Sequence, residues 1–369
     1  MSRRSSISWI LIFVILVSVV AATLVFFLRE TTELNYIWQK NVATLTFKPN
    51  KSKTSKLATL DASERNSLGS DVTKAKTKPD MFTCELTSAC AELKSFFQEN
   101  WDETKPKAAV YILSRGSDAG TLKKTLLNLQ SNFLSKYNYP VIIFHEKDFI
   151  PHIKEMQSLT KLNIFFQEVE FEVPQYIFPN AAKVFQCRRF NLGYRHMCRF
   201  HSKTIYELPI MLQLEYYLRL DAHSYITKPV PYDLFKNMKE KGLLYLYPCV
   251  SQDASACVSY LWDAVKIFIS VKRIKPYFFD KMAGNKMFYN NFEMARMDVF
   301  TATSYQNYIN YIDQLGGTYH NRWGDAPIKS LAVSLFVPRN KTQRIAKVAY
   351  THKQKAINKE KCYDFDDSE

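Results

Sequence analysis

Glycine is scarce, with 9 residues in a chain of 369. That excludes collagen-like and glycine-rich classes. It also leaves few glycines for phosphate-cradling loops. GxxxxGKS/T is absent, and Gly116 and Gly120 are too sparse for GxGxxG after the first predicted strand. Neither a P-loop nor a dinucleotide fingerprint is supported. GxSxG and HExxH are missing as well, which disfavours the common hydrolase and metalloprotease layouts. No CxxC pair exists among the seven cysteines, so a structural zinc site has little support. Acidic residues are outnumbered, 35 against 50 Lys and Arg, for a net charge of +15. A basic balance favours anionic partners such as nucleic acid, membrane surfaces or phosphorylated small molecules, without choosing among them.

Charge is missing altogether from residues 5–28, and 10–20 are almost wholly apolar. About 20 apolar residues span a bilayer, whereas the core of a cleaved signal peptide is only about 7–15 long. The run therefore predicts a transmembrane signal anchor at 7–28 behind a short cytosolic tail, 1–6; the alternative is a signal peptide cut near Ala21-Ala22. Arg3 and Arg4 precede it, which favours a cytosolic N-terminus and a lumenal remainder. Nucleic acid then drops out as a partner. Seven cysteines suit an oxidising compartment, and the odd count leaves at least one thiol unpaired or paired between chains. Asn50-Lys51-Ser52 and Asn340-Lys341-Thr342 read as N-glycosylation acceptors.

Aromatics are abundant: 26 Phe, 22 Tyr and 5 Trp, enough to fill a core or stack on sugars. They are rare in 46–80, a stretch of Lys, Ser, Thr and Asp that cannot bury enough apolar surface to offset its ordering entropy. The stem is accordingly drawn at 29–105, although 81–104 regains hydrophobic residues that could pack on the main domain. The folded domain is drawn at 106–369. Its opening alternates a buried strand at 108–113, a helix at 120–135, a second strand at 140–144, a helical 150–160 and a third strand at 163–171. That is a βαβ pattern on a parallel sheet. Further strands are expected at 216–220 and 243–247, and helices at 195–206, 256–271, 305–314 and 327–335. The class is α/β.

One constellation stands out. The apolar run Tyr217-Leu218-Arg219-Leu220 ends in Asp221-Ala222-His223. Ligands of open α/β sheets bind beyond the carboxyl ends of strands, and a carboxylate there can hold a hard divalent cation against a diphosphate. The ordinary alternative is an aspartate in a turn.

Four stretches carry a likeness beyond this pattern. They are 191–200 with GYRHMCRF, 217–223, Asn290-Asn-Phe-Glu-Met-Ala-Arg296, and 316–327 with RWGDAP; the run ending at Glu146 fits too. Through them the chain resembles the fungal-type α-1,2-mannosyltransferase family, glycosyltransferase family 15, over about residues 106–352. The resemblance implies a GT-A-like fold, a single mixed sheet flanked by helices, on a type II Golgi membrane protein. It implies a GDP-mannose donor, Mn²⁺, and mannose transfer with retention to a mannose hydroxyl, O2 above all, of a glycoprotein or glycolipid glycan. Mannosylphosphate transfer is a second activity of such enzymes, and a non-catalytic mannan-binding protein is a third reading.

The resemblance also assigns roles. Asp221 matches the family's metal acid, which opens a Glu-Pro-Asp triplet; here Asp replaces Glu and His223 the second acid. His352 matches a histidine that also reaches the metal, against the alternative of a solvated tail histidine. Tyr194 matches a tyrosine lying between the donor C1 and the acceptor hydroxyl, rather than a core residue at a helix start. Arg195 and His196 would contact phosphate or support the phenol. Glu293 would orient the donor sugar or stabilise positive charge at C1. Asp325 would bind sugar hydroxyls and cap a helix ahead of Pro327, and Trp323 would stack on a pyranose or fill core. Asp253 falls where the family has a functional acid.

Overall fold

Among the described residues twelve strands form because short β-branched and aromatic runs alternate with helical stretches. In the computed structural model, which describes residues 87–99, 101–177, 187, 190–352 and 355–356, the strands run in chain order as follows. They are β1 Ala108–Ser114, β2 Val141–His145, β3 Ile164–Glu168, β4 Tyr216–Asp221, β5 Ser224–Ile226 and β6 Tyr245–Tyr247. After these come β7 Val250–Gln252, β8 Lys286–Phe288, β9 Phe292–Arg296, β10 Thr342–Arg344, β11 Tyr350–His352 and β12 Lys355–Ala356. Six longer helices accompany them: α1 Ser88–Glu99, α2 Ala119–Leu129, α3 Leu192–Ser202, α4 Leu261–Lys272, α5 Thr303–Gln314 and α6 Asp325–Phe336.

Seven strands make one mixed sheet in the order β10-β6-β9-β4-β1-β2-β3. β3, β2, β1 and β4 are mutually parallel, and β9 lies antiparallel to both β4 and β6. The chain builds outward from β1 through β2 to β3, then returns to place β4 on the other side of β1. The crevice beyond the carboxyl ends of β1 and β4 is thus the point where strand order reverses, the usual ligand site of such sheets.

Alternation along the strands divides the core in two. Ala108, Val110 and Ile112 of β1 join Leu218 and Leu220 of β4 beneath α2, whose Leu122, Leu126 and Leu129 cover that face. Ala109, Tyr111 and Tyr217 turn to the opposite face, with Phe200 of α3, Tyr305 and Tyr308 of α5 and Leu331 of α6. Burial at this density contributes about 25 cal/mol for each Å² of apolar surface.

Strands and helices expected from the pattern are present, with shifted ends. α2 stops at Leu129 and gives way to a π-turn, Gln130–Leu134. α3 begins at Leu192 because Asn191 caps it, accepting a bond from the Tyr194 amide. α4 begins only after Tyr260, whose backbone is left-handed (φ +65°). The stem boundary at 105 is corrected: α1 buries Ala89, Cys90, Leu93 and Phe97 in the same core as β1. Phe96 meets Phe165 of β3, and Trp101 meets Tyr139. An aromatic cluster of this size holds the segment on the sheet, so the folded unit begins before 106.

Cys187 and Cys257 form a disulfide, Cys90 and Cys249 each take part in a separate one, and Cys198 is a buried free thiol. Among the described residues no helix is long and apolar enough to cross a membrane, and the anchor expected at 7–28 lies outside them.

Candidate active site

β4 carries Asp221 to the carboxyl edge of the sheet, level with Leu113 of β1. The chain then turns through Ala222 and His223 into β5, which pairs antiparallel with β11 so that Ser224 stands opposite His352. This small second sheet brings a C-terminal histidine back to the end of a central strand. His352 Nε2 lies 3.7 Å from Asp221 Oδ2, and its Nδ1 is 3.3 Å from the Tyr289 hydroxyl. The tail position of His352 in the sequence thus hides a strand position in the fold.

Arg219, two residues earlier on the same face of β4, is buried and points along the strand. Its Nε and Nη2 donate to Asp221 Oδ1 at 3.3 and 3.2 Å, while Nη1 donates to Asp325. Asp221 therefore has one oxygen held by a cation and the other turned toward His352. Two donors 3.7 Å apart can both reach one ion at ordinary metal–ligand lengths of about 2.0–2.2 Å. A carboxylate oxygen with an imidazole nitrogen is also a suitable set for Mn²⁺. The residues present fit such an ion.

Asp325 occupies the first turn of α6, and the N-cap is Gly324. The expected capping role is corrected: the carboxylate turns away from the helix amides to Arg219 and to Asn290 Nδ2, 2.8 Å away. Burial alone would raise its pKa, but Arg219, His201 and Asn290 together outweigh burial and hold it well below the usual carboxylate range. Four residues on, Lys329 projects from the same face of α6 and meets Glu293, which stands opposite Arg219 in the β4–β9 register. Two charge pairs thus join α6 to the sheet.

The inner pair is sealed. Glu293 has no solvent exposure; Oε1 accepts from Tyr217 and Lys329, and Oε2 accepts from Tyr245 at 2.8 Å. The expectation that Glu293 orients the donor sugar is corrected, since both oxygens are spent inside the core. Arg195 is corrected likewise. It is 1% exposed, and its guanidinium donates to the carbonyls of Phe190, Thr318, Tyr319 and Cys187, binding neighbouring loops together. Trp323 is buried too, its ring flat against Gly317 and its Nε1 donating to Ser259 O at 2.8 Å. A Cβ on Gly317 would come within 2.1 Å of that ring. Trp323 fills core and offers no face to a pyranose.

Tyr194 lies in the first turn of α3, half-buried, and its hydroxyl makes no hydrogen bond to a described residue. Burial pushes its phenol up; the carboxylates of Asp325 and Asp253 add to this and Arg322 opposes it. The resting phenol is a neutral donor at physiological pH. His196 faces the other way, with Nδ1 3.0 Å from the Tyr319 hydroxyl and its ring stacked on Phe171. Burial lowers its pKa, so it is neutral at pH 7. Asp253 grips Arg322 at 2.6 and 3.1 Å. Gly324 lies beside that pair, directly before Asp325.

Arg219, Asn290, Arg322 and Lys329 were not singled out by the sequence pattern. The available signal was a charge inside an apolar run: Arg219 within YYLRL and Lys329 within PIKSLAV.

The sequence profile of a family described as glycolipid 2-alpha-mannosyltransferase matches residues 61–364. The chain belongs to this family. Within it, the chain is 28% identical over 304 residues to the probable mannosyltransferase MNT3 of Candida albicans, covering 74% of this chain and 80% of that protein. It is 30% identical over 279 residues to glycolipid 2-alpha-mannosyltransferase 2 of the same organism, covering 68% of this chain and 60% of that one. Among solved structures, core-mannan synthase A of Aspergillus fumigatus in its Mn/GDP form superposes with a TM-score of 0.64 at 23% identity, over 77% of this chain and 82% of that chain. Ktr4p of Saccharomyces cerevisiae gives 0.64 at 20% identity, over 80% and 87%. These likenesses establish the mannosyltransferase-family fold, a mixed sheet flanked by helices.

Proposed function

We propose that this mannosyltransferase-family chain moves mannose from GDP-mannose to a mannose hydroxyl, O2 first among them, of a glycoprotein or glycolipid glycan, with retention at C1. The observation that carries the reading is the convergence of Asp221 and His352 at the carboxyl end of β4. Relatives named as mannosyltransferases supply the sugar, and the Mn/GDP form of the Aspergillus protein supports the nucleotide and the ion.

Asp221 and His352 would hold Mn²⁺, which when bound offsets the negative charge gathering on the diphosphate as it leaves. Arg219 keeps Asp221 ionised and aimed by occupying its other oxygen. Asp325, buried and held by Asn290, keeps the Arg219 guanidinium in line behind Asp221. Tyr194 stands at the reacting carbon with its proton in place. An α-linked donor giving an α-linked product excludes one in-line displacement. A neutral hydroxyl beside C1 then serves by steadying the leaving oxygen and the incoming hydroxyl as charge develops. By the same reading, residues 7–28 anchor the chain as a single-pass type II protein of the Golgi membrane with residues 29–369 lumenal; the uncharged run and exposed Asn340 support this.

The test uses the full chain in detergent with GDP-mannose and a panel of mannosides, in Mn²⁺ or in excess chelator. The expected product is an α-1,2-linked disaccharide formed only with Mn²⁺. A phosphodiester product would replace this reading with mannosylphosphate transfer. GDP binding without product on any mannoside would point to a non-catalytic mannan-binding role.

A further inference from the structure

Arg322 combines two unfavourable features. Its backbone is left-handed, with φ +73°, a region that bulky residues occupy under strain. Its guanidinium is buried, and while Nη1 and Nη2 bond Asp253 at 2.6 and 3.1 Å, Nε is enclosed without a partner. A strained backbone and an uncompensated buried donor at one residue persist only where the surroundings enforce them.

The surroundings do so. Asn321 and Trp323, on either side, both donate their amides to Gly317 O. Trp323 is locked between Gly317 and Ser259. Asp253 is itself braced by the Ala254 amide, four residues before Cys257, whose disulfide to Cys187 ties this segment to the chain leading into α3. Phe190 donates its amide to Cys187 O.

What the arrangement achieves is a stack. The Arg322 guanidinium lies 4.3 Å from the Phe190 ring centroid and 5.5 Å from that of Tyr194, and the two rings are 4.6 Å apart at 36°. Such distances are within reach of a cation–π attraction. The Asn191 cap fixes the Tyr194 backbone but leaves the side-chain torsions free, and no hydrogen bond holds the hydroxyl. Only packing sets the ring's direction.

We propose that Arg322, braced by Asp253, is a positioning residue for Tyr194, packing together with Phe190 against the phenol so that its hydroxyl meets the reacting carbon. The proposal rests on the reading that Tyr194 acts at the donor sugar. It assigns Asp253 to holding Arg322 instead of to holding substrate.

The test is a double-mutant cycle on mannosyl transfer by the full chain. Arg322→Met should lower kcat about 10- to 100-fold, because misplacing a reacting group by a fraction of a turn has effects of that order. KM for GDP-mannose should stay within about twofold. Arg322→Lys, which keeps the charge and the Asp253 pair, should recover part of the loss. In a Tyr194→Phe background Arg322→Met should cost nothing more, since the hydroxyl it places is already gone. Asp253→Asn should show the same coupling with a smaller fall, and it serves if Arg322→Met does not fold. An equal fall from Arg322→Met in both backgrounds, or none in the native one while Tyr194→Phe is slow, overturns this proposal alone. Full kcat in Tyr194→Phe overturns the reading of Tyr194 and this proposal with it.

Discussion

Tyr194 and Asp221 separate the chemistry of the crevice into two experiments. Removing the Tyr194 hydroxyl while keeping the ring preserves its stack on Phe190 and Arg322. Tyr194→Phe should therefore fold normally and bind GDP normally, while kcat falls at least about 100-fold, or roughly 2.7 kcal/mol of transition-state stabilisation. Near-full turnover would return Tyr194 to packing. Asp221→Ala acts on binding. It deletes the oxygen turned toward His352 and releases Arg219 from one partner. Mn²⁺-dependent tightening of GDP, read by calorimetry, should disappear. The same GDP affinity with and without Mn²⁺ in the unmodified protein would remove the metal from this site.

At the level of elements, α6 is attached to the sheet by Asp325–Arg219 and Lys329–Glu293, one helical turn apart. Lys329 is wholly enclosed, and burial lowers its pKa against the pull of Glu293. Glu293→Gln keeps most of the shape and hydrogen bonding but leaves that ammonium without a counter-charge. Unfolding free energy should drop by about 3–5 kcal/mol, while kcat per folded molecule changes only a few-fold. Denaturant titration and active-site-normalised rates check both. A hundredfold slower enzyme of native stability would instead restore Glu293 to a direct role at the sugar. The helix that carries Lys329 was legible from periodicity, whereas β9, which carries Glu293, was not expected. Their pairing was not legible either, because an acid at the start of β9 and a lysine inside an apolar helix find each other only through the register of β4 with β9.

Across the whole molecule, stability should fall as pH drops from neutrality. His201 is buried against Tyr111; burial, then repulsion from Arg219, holds its pKa well below the ordinary value. Below about pH 6.5 the unfolded chain takes up a proton that the folded chain refuses. The unfolded state then binds more protons, and stability declines by up to about 1.4 kcal/mol per pH unit for such a group. Asp325 acts in the same direction but lower, below about pH 4, since its folded pKa is depressed. Urea midpoints at pH 7.5 and 5.5 should differ in the native chain and converge in His201→Gln; an unchanged difference would clear His201. The anchor at 7–28 is tested at the same scale. The chain should stay with membranes after carbonate extraction, with its C-terminus protected from protease in sealed vesicles, and release of a soluble form would favour cleavage near Ala21-Ala22.

Hydrophobic periodicity by itself determined the α/β class and the positions of β1, β2, β4 and helices α2 to α6, because a period of two or of 3.6 is a local property of the chain. The family resemblance, rather than spacing, singled out Tyr194 and His352 as candidates beside Asp221 at its strand end. Only the tertiary structure decided which acids are spent inside the core. Glu293 and Asp325 both looked like sugar ligands, yet Glu293 is closed off by Tyr217, Tyr245 and Lys329, and Asp325, buried as well, spends its Oδ2 on Arg219 and Asn290. It also decided that His352 joins Asp221, through a strand of three residues too short to announce itself. Burial and charge pairing are sums over elements distant in sequence, and local spacing carries no record of them.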